Sequence, residues 1–576
     1  MQIGEPLAVL LALLSSAVPK PKYRLHLDAD RDGKVDDDWA GATAWQWGRK
    51  KRGALFLCNN DDDDAAHTKD NDDDKVNGGN DKDEVAPVVL RRTGPAPPGS
   101  WVGYLEVPRG VEKFVRIFDK RAGGNEIIGP AMGPLYILPD LNFTEVEYGI
   151  EALRFAGTGF NGQALVTFRI EDGSALIYSQ VGRLRVAPWI MPNHLDPAVK
   201  VFVVDAGAGN ARFRTELGPF VAGAGCSLQQ YADRDIWMQD CMEIGVCSSA
   251  TKAAPVVMRA KRGRPLKAFP RTLLAPDFGY EEVAPLNAPG VDDSTFDSTG
   301  NLEVTPPLMT GTKRQYPWGR IYYGPGRRLE PFDRDTAAFL TAQTVQAPFP
   351  VNTNWLTVGH VDEVISFVPA PGGRGFKLLL ASPQRAYAIL DAANKSAAAS
   401  EHLLVGREFP EFNATGFVGM KNAEVSIRGF LTTGIPSLGF DGPTLRRFNK
   451  QVAAHMTGIR KTFKANIASI ASEIIEVPIL YFPNEADPSW ADALTGGMVN
   501  MLVINKHCII PKPFGPVVAG VDLFEQDLSA QLAALGLTLH FIDDWHEYHV
   551  NLGEVHCGTN TVRKPSAPAR WWEFAG

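Results

Sequence analysis

The sequence predicts an α/β protein in two parts, a β-sandwich followed by a longer region in which strands and helices alternate. Three observations carry this. Short apolar runs rich in β-forming residues succeed one another through 22–190, separated by turn clusters such as TGPAPPGS. From about residue 195 strand-like runs alternate instead with helical ones. Between the two, PWIMPNHLDP (188–197) holds three prolines and reads as a linker. At 576 residues the chain is also too long for one ordinary core.

In chain order, the first element is the apolar run PLAVLLALLSSAVP. It is too short to span a bilayer. Residues 1–18 read as a secretory signal with Ser15-Ser16-Ala17 as its cleavage site, or else as an apolar first strand, because no lysine or arginine precedes the run. The first reading places the protein outside the cell, the second in the cytoplasm. Sequons at Asn142, Asn394 and Asn413 accord with secretion. No other stretch reaches transmembrane length, so no stable membrane insertion is expected. Residues 19–190 are the sandwich, with strands in KFVRIF, ALVTFRI, ALIYSQV and RLRVAPW. Residues 191–576 are the α/β part. Strands are expected in VKVFVV, KLLLAS, NMLVINK and LTLHFID, and helices in DTAAFLTAQTV, HLLVGREF, RRFNKQVAAHM and EQDLSAQLAAL.

Net charge is −8, and all of it is local. Between Cys58 and Glu84 eleven acids face three lysines, so the rest of the chain is neutral. Without a basic face, a nucleic-acid partner is not expected. Composition alone makes the acidic stretch self-repelling and disordered. Upstream, DADRDG sets Asp28, Asp30 and Asp32 at alternate positions before a glycine, as in a calcium loop, but lacks the glutamate that closes an EF-hand. Six cysteines in so long a chain do not make a disulfide framework.

Three segments carry chemistry. RDIWMQDCMEIG groups Trp237, Gln239, Asp240 and Glu243 at the end of an apolar element. TVGHVDEVISF puts His360 and Asp362 two apart, on one side of an extended chain, before an apolar run. GEVHCGTN sets Cys557 directly after a histidine. Two carboxylates facing one pocket repel unless a cation lies between them. A guanidinium fits both, and its carbon is open to a thiolate. Cys557 would be the nucleophile, His360 the acid and base, and Trp237 a stacking surface. From the residues alone, a calcium-dependent binding module and a cysteine hydrolase stay open as well.

GHVDEVISFVPAP, PDFGY, STGNLEV, NMLVINKHCIIPKPFGP and GEVHCGTNTVRKP closely resemble the peptidylarginine deiminases, from about Pro188 to Trp572 with gaps. LDADRDG and the acidic cluster resemble that family's middle immunoglobulin-like domain, while the family's first such domain has no counterpart here. The resemblance implies an immunoglobulin-like sandwich followed by a five-bladed α/β propeller, the pentein fold. It implies conversion of protein arginine to citrulline with release of ammonia, through a covalent intermediate on Cys557. His360 matches the acid/base, and Asp240 and Asp362 match the carboxylates that hold the guanidinium. Trp237 and Val358 match the walls around the substrate stem, and Arg264 a contact to the substrate backbone. The partners implied are arginine-containing proteins or peptides. Asn551 stands near where the family has a basic residue, so free arginine is the alternative substrate.

Calcium is the implied cofactor. In the first part the matching positions are Asn59, Asp61, Asp63, Asp70, Asp73, Asp81 and Glu84. In the second, one family site matches Gln239, Glu243, Glu303 and the carbonyls of Thr299 and Leu302. The other needs an acid where Cys241 stands, and its remaining positions are Arg259, Ala260 and Gly263. Those side chains cannot supply the oxygens a hard dication wants, so fewer ions are expected there than in the animal enzymes.

Overall fold

The short apolar runs before residue 190 pair into two five-stranded sheets. In the computed structural model these strands are β1 (Lys22–His26), β2 (Ala54–Phe56), β3 (Ala86–Thr93), β4 (Trp101–Glu106), β5 (Val115–Asp119), β6 (Asn125–Ile128), β7 (Leu135–Ile137), β8 (Glu145–Ala152), β9 (Gln163–Asp172) and β10 (Ala175–Val186). One sheet has the order β1-β3-β8-β5-β6, the other β2-β10-β9-β4-β7. Along β9 half-buried and buried residues alternate, as they must where one face of a sheet lies on a core. The faces meet where Tyr23 of β1 stands edge-on to Phe168 of β9, with ring centroids 6.0 Å apart. ALIYSQV and RLRV form one strand rather than two, β10, with an irregularity at Ile177.

The structure describes residues 21–573 except 36, 38–41, 47, 49–50, 64–66, 77–79, 122, 289–292, 309–315, 414–415, 468–469 and 565–569. The signal reading of residues 1–18 lies outside the described residues. The chain divides into two compact units. The first is Met1–Pro188 with Cys247–Ala254 and Ala275–Gly279, and the second is Trp189–Val246, Pro255–Leu274 and Tyr280–Gly576.

In the second unit one pattern recurs in four three-stranded sheets among the described residues, in which a middle strand is antiparallel to one neighbour and parallel to the other. Ala198–Asp205, Ile321–Tyr323, Phe376–Ser382 and His507–Pro511 are the middle strands. The parallel pairings require crossovers, and helices such as Ala211–Gly223 and Leu523–Leu532 supply them. The longest helix, Gly442–Asn466, starts at Asp441, whose carboxylate accepts from the Thr444 amide at 2.8 Å. Its Leu445, Phe448, Val452, Met456, Ile459 and Phe463 recur at helical spacing and are all buried.

Three expectations are corrected. PWIMPNHLDP holds the boundary between the units, as a linker would, but it is packed rather than loose. Trp189, Met191 and His194 are buried, and the side chains of Gln343 and Gln346 accept from the amides of Trp189 and Met191. HLLVGREF is not a helix, because Leu404 and Gly406 have left-handed backbones and break it into the short strand His402–Leu403 and the start of Glu408–Asn413. His360 and Asp362 do not share an extended segment, because Asp362 lies in a turn before the strand Ile365–Pro369 and His360 just ahead of that turn.

Candidate active site

Each of five site residues stands just ahead of a strand of the second unit. Asp240 is two residues before Met242–Ser248, Gly300 two before Leu302–Val304, and Asp362 three before Ile365–Pro369. Asn500 is two before Leu502–Ile504 and Cys557 two before Thr559–Arg563. A strand is pinned by its burial and its pairing, so the residue that precedes it is delivered to a fixed point. The folding reason and the functional reason are therefore the same local pattern.

Cys557 is buried, and its thiol faces Asp362 Oδ2 at 3.5 Å. Asn500 straddles the turn. Its Nδ2 donates to Cys557 Sγ at 3.2 Å, and its Oδ1 accepts from the amides of His556 and Cys557 at 3.0 and 3.2 Å. His360 Nε2 lies 2.8 Å from the carbonyl of Thr295, so that nitrogen carries the hydrogen. Its Nδ1 is thereby free to exchange a proton, 3.7 Å from Asp240 Oδ1. Arg262 pairs with Asp235 and lies 3.8 Å behind Asp240. His556 Nδ1 holds Asp362 Oδ2 at 2.9 Å.

Asp240 Oδ1, Asp362 Oδ1 and His360 Nδ1 are buried without a hydrogen-bond partner. Buried polar atoms are almost always paired, so such a trio marks a place made for something else. The backbone at Gly300 defines that place. A Cβ there would come within 2.7 Å of His360 Nδ1, 2.9 Å of Asp240 Oδ1 and 3.3 Å of Asp362 Oδ2. Gly300→Ala should lower kcat/KM by about 100-fold, the effect of a displacement of roughly 1 Å among reacting groups. Steady-state kinetics beside a melting curve checks this; a variant as active as wild type contradicts it.

Electrostatics favour an incoming cation. Burial, and then the charges of Asp362 and Asp240, push the Cys557 thiol far above its ordinary range. Burial also raises Asp240, against the pull of His360 and Arg262. A cation between the carboxylates reverses both pressures. Trp237 lies beside Cys557, because a Cβ on Gly553 would meet its ring at 2.3 Å and the Cys557 Cβ at 3.2 Å. Val358, Asn500, Leu552, Gly553 and Glu363 line a cavity of about 40 Å³. Arg264 is exposed at the start of a short turn; Arg262, two residues earlier, is the arginine set against Asp240. Asn551 is exposed.

Among the expected metal ligands, Gln239 Nε2 donates to Glu243 Oε2 at 3.0 Å, and Thr299 Oγ1 lies 2.6 Å from the Gln239 carbonyl. Burial, then Glu303, raises Glu243 to about 8. Leu302 opens the buried strand that carries Glu303. The crowded acids and the buried amide suit a hard dication there. At the positions expected to lack a second ion, Arg259 donates to the carbonyls of Ala260 and Ala284 at 3.2 and 3.1 Å. The Cys241 thiol is turned onto the Met238 carbonyl, and the Gly263 amide donates to Asp293.

In the first unit, Asp61, Asp63 and Asp70 converge, as do Asp61, Glu84 and Asp277, and as do Asp28, Asp30 and Asp32. Asn59 donates to Asp81 at 3.0 Å. Asp73 is exposed and caps its own turn by accepting from the Lys75 amide. Both oxygens of Asp63 and one each of Glu84 and Glu151 are buried and unpartnered, which also fits a dication. Burial raises Asp70 to about 8 and Asp28 to about 6. Lys252 reaches Glu84 and Asp277.

The family described as protein-arginine deiminase matches residues 176–573, and its middle domain matches 23–171. Human protein-arginine deiminase type-4 is 34 % identical over 95 % of this chain and 82 % of its own length. Human type-3 is 34 % identical over 99 % and 85 %, and human type-1 32 % over 96 % and 82 %. Among solved structures, a C. jejuni agmatine deiminase is loosely similar, at a TM-score of 0.35 and 10 % identity, covering 65 % of this chain and 96 % of its own.

Proposed function

The chain belongs to the protein-arginine deiminase family and is a deiminating hydrolase; from that premise we propose how its residues carry the reaction. The guanidinium of a protein arginine enters between Asp240 and Asp362, with its flat face on Trp237 and its stem along Val358. Its charge lowers the cost of ionising Cys557, so the thiolate forms with the substrate in place and its proton passes to His360 Nδ1. Sulfur attacks the guanidinium carbon, and His360 Nδ1 protonates one nitrogen as the C–N bond breaks, releasing ammonia and leaving an amidino-thioether. His360 then takes a proton from water as the water attacks. Collapse of that adduct breaks the C–S bond and leaves the ureido group of citrulline and the free thiol. The unpartnered trio Asp240 Oδ1, Asp362 Oδ1 and His360 Nδ1, belonging to the three side chains that crowd Gly300, is the observation that supports this most.

Five site residues, each ahead of its own strand, support a five-bladed pentein arrangement of the second unit, and the two-sheet first unit supports an immunoglobulin-like reading. Mass spectrometry of an arginine peptide after incubation tests the activity. Exchange of NH for O at arginine supports it, whereas cleavage or an unchanged mass sinks it. Free arginine assayed in parallel decides between substrates.

Gln239, Glu243, Glu303 and the carbonyls of Thr299 and Leu302 would hold calcium. When bound, the ion supplies a fixed charge that sets the segment carrying Asp240. Glu243→Gln or Glu303→Gln should raise the calcium concentration for half-maximal rate by about tenfold; calcium titrations matching wild type would argue against it.

The acids of the first unit give a further expectation. Asp70, raised by burial, holds its proton in the folded chain up to about 8 and in the unfolded chain only to about 4. In a chelator the folded chain therefore binds more protons across that window, and stability falls as pH rises through it. Calcium should raise Tm more at the top of the window than at the bottom. An equal shift at both ends would contradict it.

A further inference from the structure

His194, Glu303 and His556 meet in the interior of the second unit, with side chains 11 %, 4 % and 10 % exposed. His194 Nε2 is 3.3 Å from Glu303 Oε2, and His556 Nε2 is 3.4 Å from Glu303 Oε1. These are long for charge-assisted hydrogen bonds, which run about 2.7–2.9 Å. They match instead the edge of a tetrahedron whose bonds from the centre are about 2.0–2.1 Å, as around zinc. All the donor atoms lie within 4.8 Å of one another.

The surroundings match as well. A metal-binding imidazole commonly has its far nitrogen held by a carboxylate or another polar group. His556 Nδ1 lies 2.9 Å from Asp362 Oδ2, and His194 Nδ1 lies 3.5 Å from Ser366 Oγ. Arg563, the buried cation nearby, donates to the carbonyls of His194, Asp196 and Val503. Glu243, close enough to act electrostatically on Glu303, stands by as a further carboxylate. Two imidazoles and a carboxylate suit a borderline ion, whereas calcium wants six to eight oxygens.

We infer that His194, Glu303 and His556 form a binding site for a zinc-type divalent ion that competes with calcium for Glu303. Zinc draws Glu303 into a nitrogen-rich set and, through the His556–Asp362 contact, fixes a carboxylate of the substrate site. It therefore inhibits, and calcium relieves the inhibition. The relief rests on the calcium reading above, but the metal site does not.

The test uses the full chain, freed of metals and titrated with Co²⁺ as a spectroscopic probe. One equivalent should give the intense visible bands of a four-coordinate ion, bleached by Zn²⁺. His194→Asn should weaken Co²⁺ binding by about tenfold or more. Zinc-edge X-ray absorption of the wild-type protein should show two imidazoles in the first shell, a readout that stands even if the variant folds poorly. A weak six-coordinate spectrum, a first shell without imidazole, or equal affinity in a folded His194→Asn overturns the site. So does a thiolate charge-transfer band that vanishes in Cys557→Ser, which would put the ion on the nucleophile. Inhibition by zinc that calcium does not relieve overturns the competition. None of the binding readouts requires turnover, so they stand or fall apart from the deiminase reading.

Discussion

Cys557→Ser should abolish deimination, with kcat falling by about ten-thousand-fold or more, the range seen when a catalytic nucleophile is removed. The physical reason is specific to this pocket. The thiol is buried, faces Asp362 at 3.5 Å and is already hard to ionise. In the mechanism proposed above the substrate's charge brings a thiolate within reach, and an alcohol ionises far less readily still. The fold should survive, because Asn500 holds the turn through backbone amides of His556 and Cys557 that the substitution leaves in place. Peptide turnover followed by mass spectrometry, with a melting curve, is the measurement. A folded serine variant with more than trace turnover would remove Cys557 from the reaction.

Asp362→Asn should cost about 1,000-fold in kcat/KM, since unpairing a buried charge costs about 3–5 kcal/mol. Asp362 has a double task. Oδ2 accepts from His556 and faces the Cys557 thiol, while Oδ1 is buried with no partner. In the proposed mechanism an amide replaces the charge that both the guanidinium and the nascent thiolate need. Stability should move the other way, because the enzyme alone bears the cost of that orphaned oxygen. The expected result is a Tm at or above that of wild type together with lost activity. A variant with normal kcat/KM, or one that loses activity only by unfolding, would contradict the assignment.

The membership of this cluster was legible where one residue type admits few roles. A cysteine in GEVHCGTN, a histidine two before an acid, and a tryptophan beside another acid each narrow the choices, and all lie around one point in the fold. Gly300, Asn500 and Arg262 did not stand out. Asparagine and glycine in a turn have ordinary uses, and what makes these two functional is which atoms the rest of the chain brings to them. The signal available was positional: a polar or bare residue two or three places before a short buried strand, repeated along the second unit. Leu302–Val304 and Leu502–Ile504 are too short for periodicity to mark. His194 was hidden by prolines that suggested an open connection, though Gln343 and Gln346, some 150 residues away, tie that segment down. At 402–409 local propensity favoured a helix, and two left-handed residues decided against it.

The chain enters its first unit more than once, with Cys247–Ala254 and Ala275–Gly279 returning to it from within the second. Lys252, on one of these returns, is the ammonium that meets Glu84 and Asp277, and Asp277 donates its amide to Asp61 at 3.0 Å. A gene cut after codon 188 would thus yield a fragment whose acids have lost their resident cation. The two units cannot be traded between proteins like beads on a string. Inheritance has to carry them as one block, and an engineer grafting a new front end must transplant both return loops with it.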